Sequence, residues 1–105
     1  MYAVIFRAQV ARLDEEYGRM AARLRELALS EYGCVEFVSL TEGDQEIAIS
    51  YWESESQIKA WKQNMEHLLA QSLGRSNWYR AYKVQVVEVK REYSHGEQGP
   101  RGFDR

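Results

Sequence analysis

The sequence predicts an α+β domain, ferredoxin-like, in which a β-α-β-β-α-β chain folds its strands into one four-stranded antiparallel sheet with both helices on one face. Three observations predict it. Apolar residues alternate over Tyr2–Val10, apolar positions step by four and three after Asp14, and a second strand-to-helix change follows at Ser54.

In the first strand Val4, Phe6, Ala8 and Val10 point one way and Ala3, Ile5, Arg7 and Gln9 the other. Asp14 is placed to cap the first helix, whose apolar stripe is Leu13, Tyr17, Met20, Leu24 and Leu27. Glu15, Glu16, Arg19, Arg23, Arg25 and Glu26 fill its solvated side, and Gly33 closes it. Cys34–Leu40 and Glu46–Trp52 read as two strands joined through the turn-rich segment Thr41-Glu42-Gly43-Asp44-Gln45. Ser54 and Gln57 have capping-box spacing, and Ile58, Trp61, Met65 and Leu68 mark the buried face of a second helix ending at Gly74, with a break expected near Asn64. Trp78 and Tyr79 lead into a last strand over Arg80–Arg91. There Tyr82, Val84 and Val86 change phase to Val87 and Val89, which predicts a bulge at Val86-Val87.

Length and charge limit the function. A chain of 105 residues builds one domain, expected over residues 1–92, with residues 93–105 as a tail, mobile or packed on a partner. A net charge of −2 argues against nucleic acid as a partner, because phosphate binding needs a positive field. No apolar run is long enough for a membrane span, and Met1-Tyr2-Ala3-Val4 enters a strand without a basic leader, so a cytoplasmic location is expected. Cys34 is the single cysteine and reads as a small buried hydrophobe. The sheet face away from the helices carries Ile5, Arg7, Val87 and Val89, too apolar for open water. Pairing of two sheets across a twofold axis is therefore expected, giving a homodimer.

Tyr51 to Tyr82 gathers all three tryptophans around one helix. The strand end Tyr51-Trp52-Glu53, the capped helix with Ala60-Trp61, then Glu66-His67, Ala70-Gln71, Gly74-Arg75 and Trp78-Tyr79 resemble the antibiotic biosynthesis monooxygenase domain of the dimeric α/β-barrel superfamily. The resemblance covers roughly residues 2 to 92. It implies a barrel built from two subunits' sheets, with a cavity in each subunit between sheet and helices. It also implies oxidation of an electron-rich phenol, quinol or polyketide-like ring by O₂ without any prosthetic group.

In that reading His67 is the catalytic candidate, since a neutral imidazole accepts a proton near physiological pH. Trp61 and His67 stand six residues apart, about 240° around an ideal helix, so they share one space only if the helix breaks near Asn64. Otherwise His67 is a helix-surface residue bonded to a neighbour. Trp52, Trp61 and Trp78 are candidates to bind a flat ligand, or else to pack the core, and Tyr51 and Tyr82 share that ambiguity. Arg75 is a candidate for a substrate carboxylate or phenolate, or for the helix dipole.

No glycine-rich phosphate loop and no HExxH-type cluster is present, so neither a nucleotide cofactor nor a resident metal is expected. The superfamily's haem-degrading branch implies an Asn on the first strand, a Trp on this helix and a ligating His beyond it. Trp61 matches, whereas the other two positions fall at Arg7 and Gln71. A binding module without turnover and an isomerase using the same base are the remaining readings.

Overall fold

The computed structural model describes residues 1–11, 14–72 and 78–96, without the side chains of residues 67–72. Six elements follow in the predicted order: β1 (Tyr2–Val10), α1 (Glu15–Ser30), β2 (Glu36–Glu42), β3 (Gln45–Trp52), α2 (Glu55–Ser72) and β4 (Tyr79–Glu88). The strands pair antiparallel in the order β2-β3-β1-β4, so the first strand lies at the centre, flanked by the third and the last.

Both helices start where the sequence supplies a cap. The Asp14 carboxylate accepts the Tyr17 N–H at 2.8 Å, covering an orphan donor of the first turn. At α2 the box is reciprocal: Gln57 N–H donates to Ser54 Oγ at 3.4 Å, and Ser54 N–H donates to Gln57 Oε1 at 3.3 Å. After the C-cap Glu31, Gly33 adopts φ +83°, and a Cβ there would stand 2.6 Å from Gln57 Nε2. This turn therefore needs glycine both for its backbone and for the space beside the second helix's cap.

Four local expectations are corrected. Pairing of β2 starts at Glu36, because the Cys34 N–H is already given to Ala28 O at 2.9 Å; Cys34 is nevertheless buried. The hairpin turn has two residues, Gly43 and Asp44, between the paired Glu42 and Gln45, and Gly43 at φ +61° fits the first central position of a type II′ turn. The irregularity in β4 lies opposite Gln9/Val10, not at Val86-Val87, which pair in register with Val4 and Ala3. Val87 faces away from Val86 by ordinary strand alternation. The last strand stops at Glu88, which pairs with Tyr2, and the Val89 N–H donates to the Met1 carbonyl at 3.0 Å.

Register decides what each sheet face carries. Val4 pairs with Ser50 and Val86, and Phe6 with Ala48 and Val84, so these residues face the helices together. Here Val4, Leu24, Ala28, Cys34, Trp52, Ile58, Trp61 and Met65 form the buried core. The other face presents Ile5, Val38, Leu40, Ile47, Ile49 and Val87, with Leu40 74 % and Val38 and Ile47 each 42 % exposed. Arg7 and Glu36 lie on that outer face, whereas Glu88 falls on the helix side by register.

Candidate functional site

Small residues open a cavity between the sheet and the helices. Ala48 on the strand floor, with Ala21 and Ala22 on α1, leaves a space of about 200 Å³ enclosed by bulkier neighbours. Phe6, Phe37 and Trp61 form its aromatic walls, Met20, Leu24, Ile58 and Met65 its aliphatic ones, and Glu46 and Tyr79 bring polar atoms to it. Exposed Arg25 and Lys62, from different helices, complete the lining. A space of this size is below the ~300 Å³ usual for a drug-sized ligand and suits one or two fused rings.

Two aromatic clusters bracket the cavity. In the first, Trp61 meets Trp52 at 5.4 Å between ring centroids and the edge of Phe37 at 6.1 Å. Both indoles are hydrogen-bonded within the chain: Trp61 Nε1–H donates to Leu24 O at 3.1 Å and Trp52 Nε1–H to Ser50 Oγ at 2.8 Å. That second bond also satisfies the buried Ser50 hydroxyl.

In the second cluster, Tyr17 packs edge-on against Trp78 at 5.6 Å and Tyr79 at 5.7 Å, and Phe6 stands 5.5 Å from Tyr79 and 5.7 Å from Tyr82. Tyr17 Oη–H donates to Glu46 Oε2 at 2.5 Å, Tyr79 Oη–H donates to Tyr17 Oη at 3.4 Å, and Thr41 Oγ1–H donates to Glu46 Oε1 at 3.5 Å. Burial above all, then the bond to the Glu46 carboxylate, holds the Tyr17 phenol well above its ordinary value. Burial also pushes Tyr79 up to about 12, with its bond to Tyr17 opposing and the Glu46 charge adding to the rise. Both phenols stay protonated through the physiological range.

The residues singled out from sequence are spread over this architecture. Trp61 lines the cavity. Trp52, fully buried, stands behind it in the core, and Trp78 belongs to the other cluster. The indole N–H of Trp78 is buried with no hydrogen-bond acceptor among the described residues. Tyr82 is on the helix side of β4 but 57 % exposed, at the margin of the second cluster. Tyr51 pairs with Ala3 and so faces the outer side of the sheet, away from the cavity. The break near Asn64 is absent: α2 runs continuously from Glu55 to Ser72, leaving His67 about 240° round the axis from Trp61 at the backbone level. The His67 side chain, and Arg75 altogether, lie outside the described residues.

Tyr17, Glu46 and Tyr79 were not singled out from the sequence. The available signal was Glu46 itself, a carboxylate on the same strand register as Ala48, Ser50 and Trp52, and hence on the core-facing side.

Haem fits this site poorly. Arg7, at the position of the haem-degrading branch's first-strand Asn, is exposed on the opposite sheet face, and the cavity has room for one or two fused rings. Among the described residues no cluster of His, Cys, Asp and Glu is placed to hold a metal ion, and no helix is long and apolar enough to cross a membrane.

Comparison with known proteins places this architecture. No family model matches the sequence. The chain is 39 % identical over 92 residues to the uncharacterised protein YqjZ of Bacillus subtilis, covering 87 % of this chain and 81 % of that one. Among solved structures it resembles SnoaB, a cofactor-independent oxygenase from Streptomyces nogalater, with TM-score 0.70 and 14 % identity over 90 % of this chain and 97 % of that one. It also resembles a putative antibiotic biosynthesis monooxygenase from Chloroflexus aurantiacus (0.52, 17 %, covering 90 % and 96 %). The third is the haem degrader MhuD of Mycobacterium tuberculosis (0.51, 19 %, covering 88 % and 99 %).

Proposed function

The chain belongs to the same family as YqjZ and has the antibiotic biosynthesis monooxygenase fold, and from that premise we propose that it is a cofactor-independent monooxygenase of a small electron-rich aromatic compound. The observation that carries this reading is the cavity of about 200 Å³ walled by Phe6, Phe37 and Trp61. Flat rings gain apolar burial and edge or stacking contacts there, and the limited space excludes bulk water around the reacting atoms.

The chemistry is that of a quinol, phenol or anthrone-like ring. Removal of a proton gives an anion that passes an electron to O₂, and for a ring methylene the overall change of CH₂ and O₂ to C=O and H₂O balances. His67 is the proposed proton acceptor. Oxygen uptake tests the reading: purified protein with a panel of quinols and anthrones should exceed the spontaneous rate, and His67→Ala should abolish the excess. Uptake that survives in the variant would keep the oxygenase and move the base elsewhere.

The partner is a second copy of the chain. The outer sheet face carries Val38, Leu40 and Ile47 at 42, 74 and 42 % exposure, a patch that twofold pairing of sheets would cover. A cytoplasmic location completes the proposal.

One observation favours a binding module without turnover. The indole N–H groups of Trp61 and Trp52 are both bonded to the chain itself, so neither is free to stabilise an anion in the cavity. Aromatic binding without oxygen uptake would establish that reading instead.

A further inference from the structure

We propose that the Tyr79–Tyr17–Glu46 chain makes one end of the cavity an acceptor-rich subsite that favours a bound ring bringing a hydroxyl or N–H donor to that end. The inference deepens the reading of the cavity as an aromatic-binding site and rests on it.

The direction of the hydrogen bonds carries the argument. In the bond to Glu46 the donor is the Tyr17 hydroxyl and the carboxylate oxygen accepts. Tyr17 has one proton and has given it away, so in its contact with Tyr79 the donor is Tyr79. Tyr79, which lines the cavity, has then spent its own proton and offers only oxygen lone pairs. Glu46, which also lines the cavity, offers only acceptor positions; of its roughly four lone-pair sites, Tyr17 and Thr41 take two among the described residues. Burial and the neighbouring carboxylate keep both phenols from ionising, so the chain does not reverse through the neutral range.

Beside this end Phe6, Ala48 and Val84 present no donor, and Ser39, cross-strand from Ala48, adds a hydroxyl that can accept as well as donate. An aromatic anion turned toward this end would meet a carboxylate, and an ether or ketone would meet lone pairs; a phenolic hydroxyl or ring N–H meets a charged acceptor, the stronger kind of hydrogen bond. The subsite therefore selects the protonated form of a phenol or quinol and fixes which end of the ring system enters first. Glu46 acts here as a positioning residue; Tyr17 orients its carboxylate.

Two isosteric probes test this. Calorimetric titration with 1-naphthol and with 1-methylnaphthalene compares a hydroxyl with a methyl group of nearly the same size on the same rings. The ratio of the two affinities should fall on the order of tenfold in Glu46→Leu and several-fold in Glu46→Gln, while 1-methylnaphthalene binding is retained. The isosteric Glu46→Gln carries the test if the leucine variant fails to fold. An affinity ratio unchanged in both variants would overturn the subsite while leaving the aromatic cavity standing. Failure of both compounds to bind the unaltered protein would overturn the cavity reading and the subsite with it.

Discussion

The two aromatic clusters beside the cavity resemble each other in composition and differ in what their polar atoms do. Trp52 and Trp61 give their N–H groups to Ser50 and Leu24, and Trp61, backed by Trp52, presents carbon to the cavity. Tyr17 and Tyr79 line up their hydroxyls toward one carboxylate and leave acceptor capacity on the cavity side. The tryptophan end thus holds the helices to the sheet, and the tyrosine–glutamate end supplies directional polarity.

The comparison breaks most readily at Trp61. Trp61→Ala removes a buried indole, its contact with Trp52 and a bond to the α1 backbone, and should cost about 3–5 kcal/mol in urea unfolding. A loss under ~1 kcal/mol would mean that this end is not the structural one.

Tyr17→Phe probes the other end and should cost about 1.5–3 kcal/mol, since the lost bond is to a charged acceptor. It also changes the alkaline limb. The folded Tyr79 titrates at about 12 against 10.0 unfolded, and Tyr17 is raised further, so above pH 10 the unfolded chain releases protons that the folded one retains. Stability is fully present below pH 10 and falls as pH rises through 12. Unfolding from pH 8 to 12 should show a shallower fall in Tyr17→Phe, and equal slopes would disconnect these phenols from the cluster.

Gly33→Ala tests the turn beneath the second helix. Its φ of +83° costs an L-residue about 1–2 kcal/mol, and the new methyl displaces Gln57 from the capping box. Smallest are the caps themselves: Asp14→Ala and Ser54→Ala should each cost about 1 kcal/mol. They sharpen the contrast between the ends. Asp14 holds the Tyr17 N–H, so its loss should also lower the preference for 1-naphthol, while loss of Ser54 should leave that preference unchanged. Equal effects on ligand preference would show that the polar end does not depend on its own helix start.

Much of the fold was legible because its signals are local. Asp14 and the Ser54/Gln57 pair begin the helices at the capped positions, and alternation over Tyr2–Val10 set the first strand to its residues. Expectations failed where pairing across the sheet decides. The bulge read from Val86-Val87 disappears once Val4 and Ala3 lie opposite, and the hairpin turn shrinks to Gly43-Asp44 because Glu42 and Gln45 pair. The expected break at Asn64 is not made, and α2 runs on regularly past it. Trp61 was legible as part of an apolar stripe, whereas Tyr51 was not assignable to a face from alternation alone. Its strand carries bulky residues on both sides, and only register with Ala3 turns it outward.

By itself the sequence determined the element order, the helix starts and the apolar stripes, because caps and periodicities act within a few residues. Only the tertiary structure brought together Tyr17, Glu46 and Tyr79, 29 and 62 residues apart along the chain for the two bonds that join them. It also decided that small Ala48 faces the helices while Ile47 and Ile49 face away, leaving a cavity on one side and an uncovered apolar sheet on the other. The physical reason is that a hydrogen bond's partner and a side chain's face are set by register across strands, and register is a property of pairs of segments rather than of either alone.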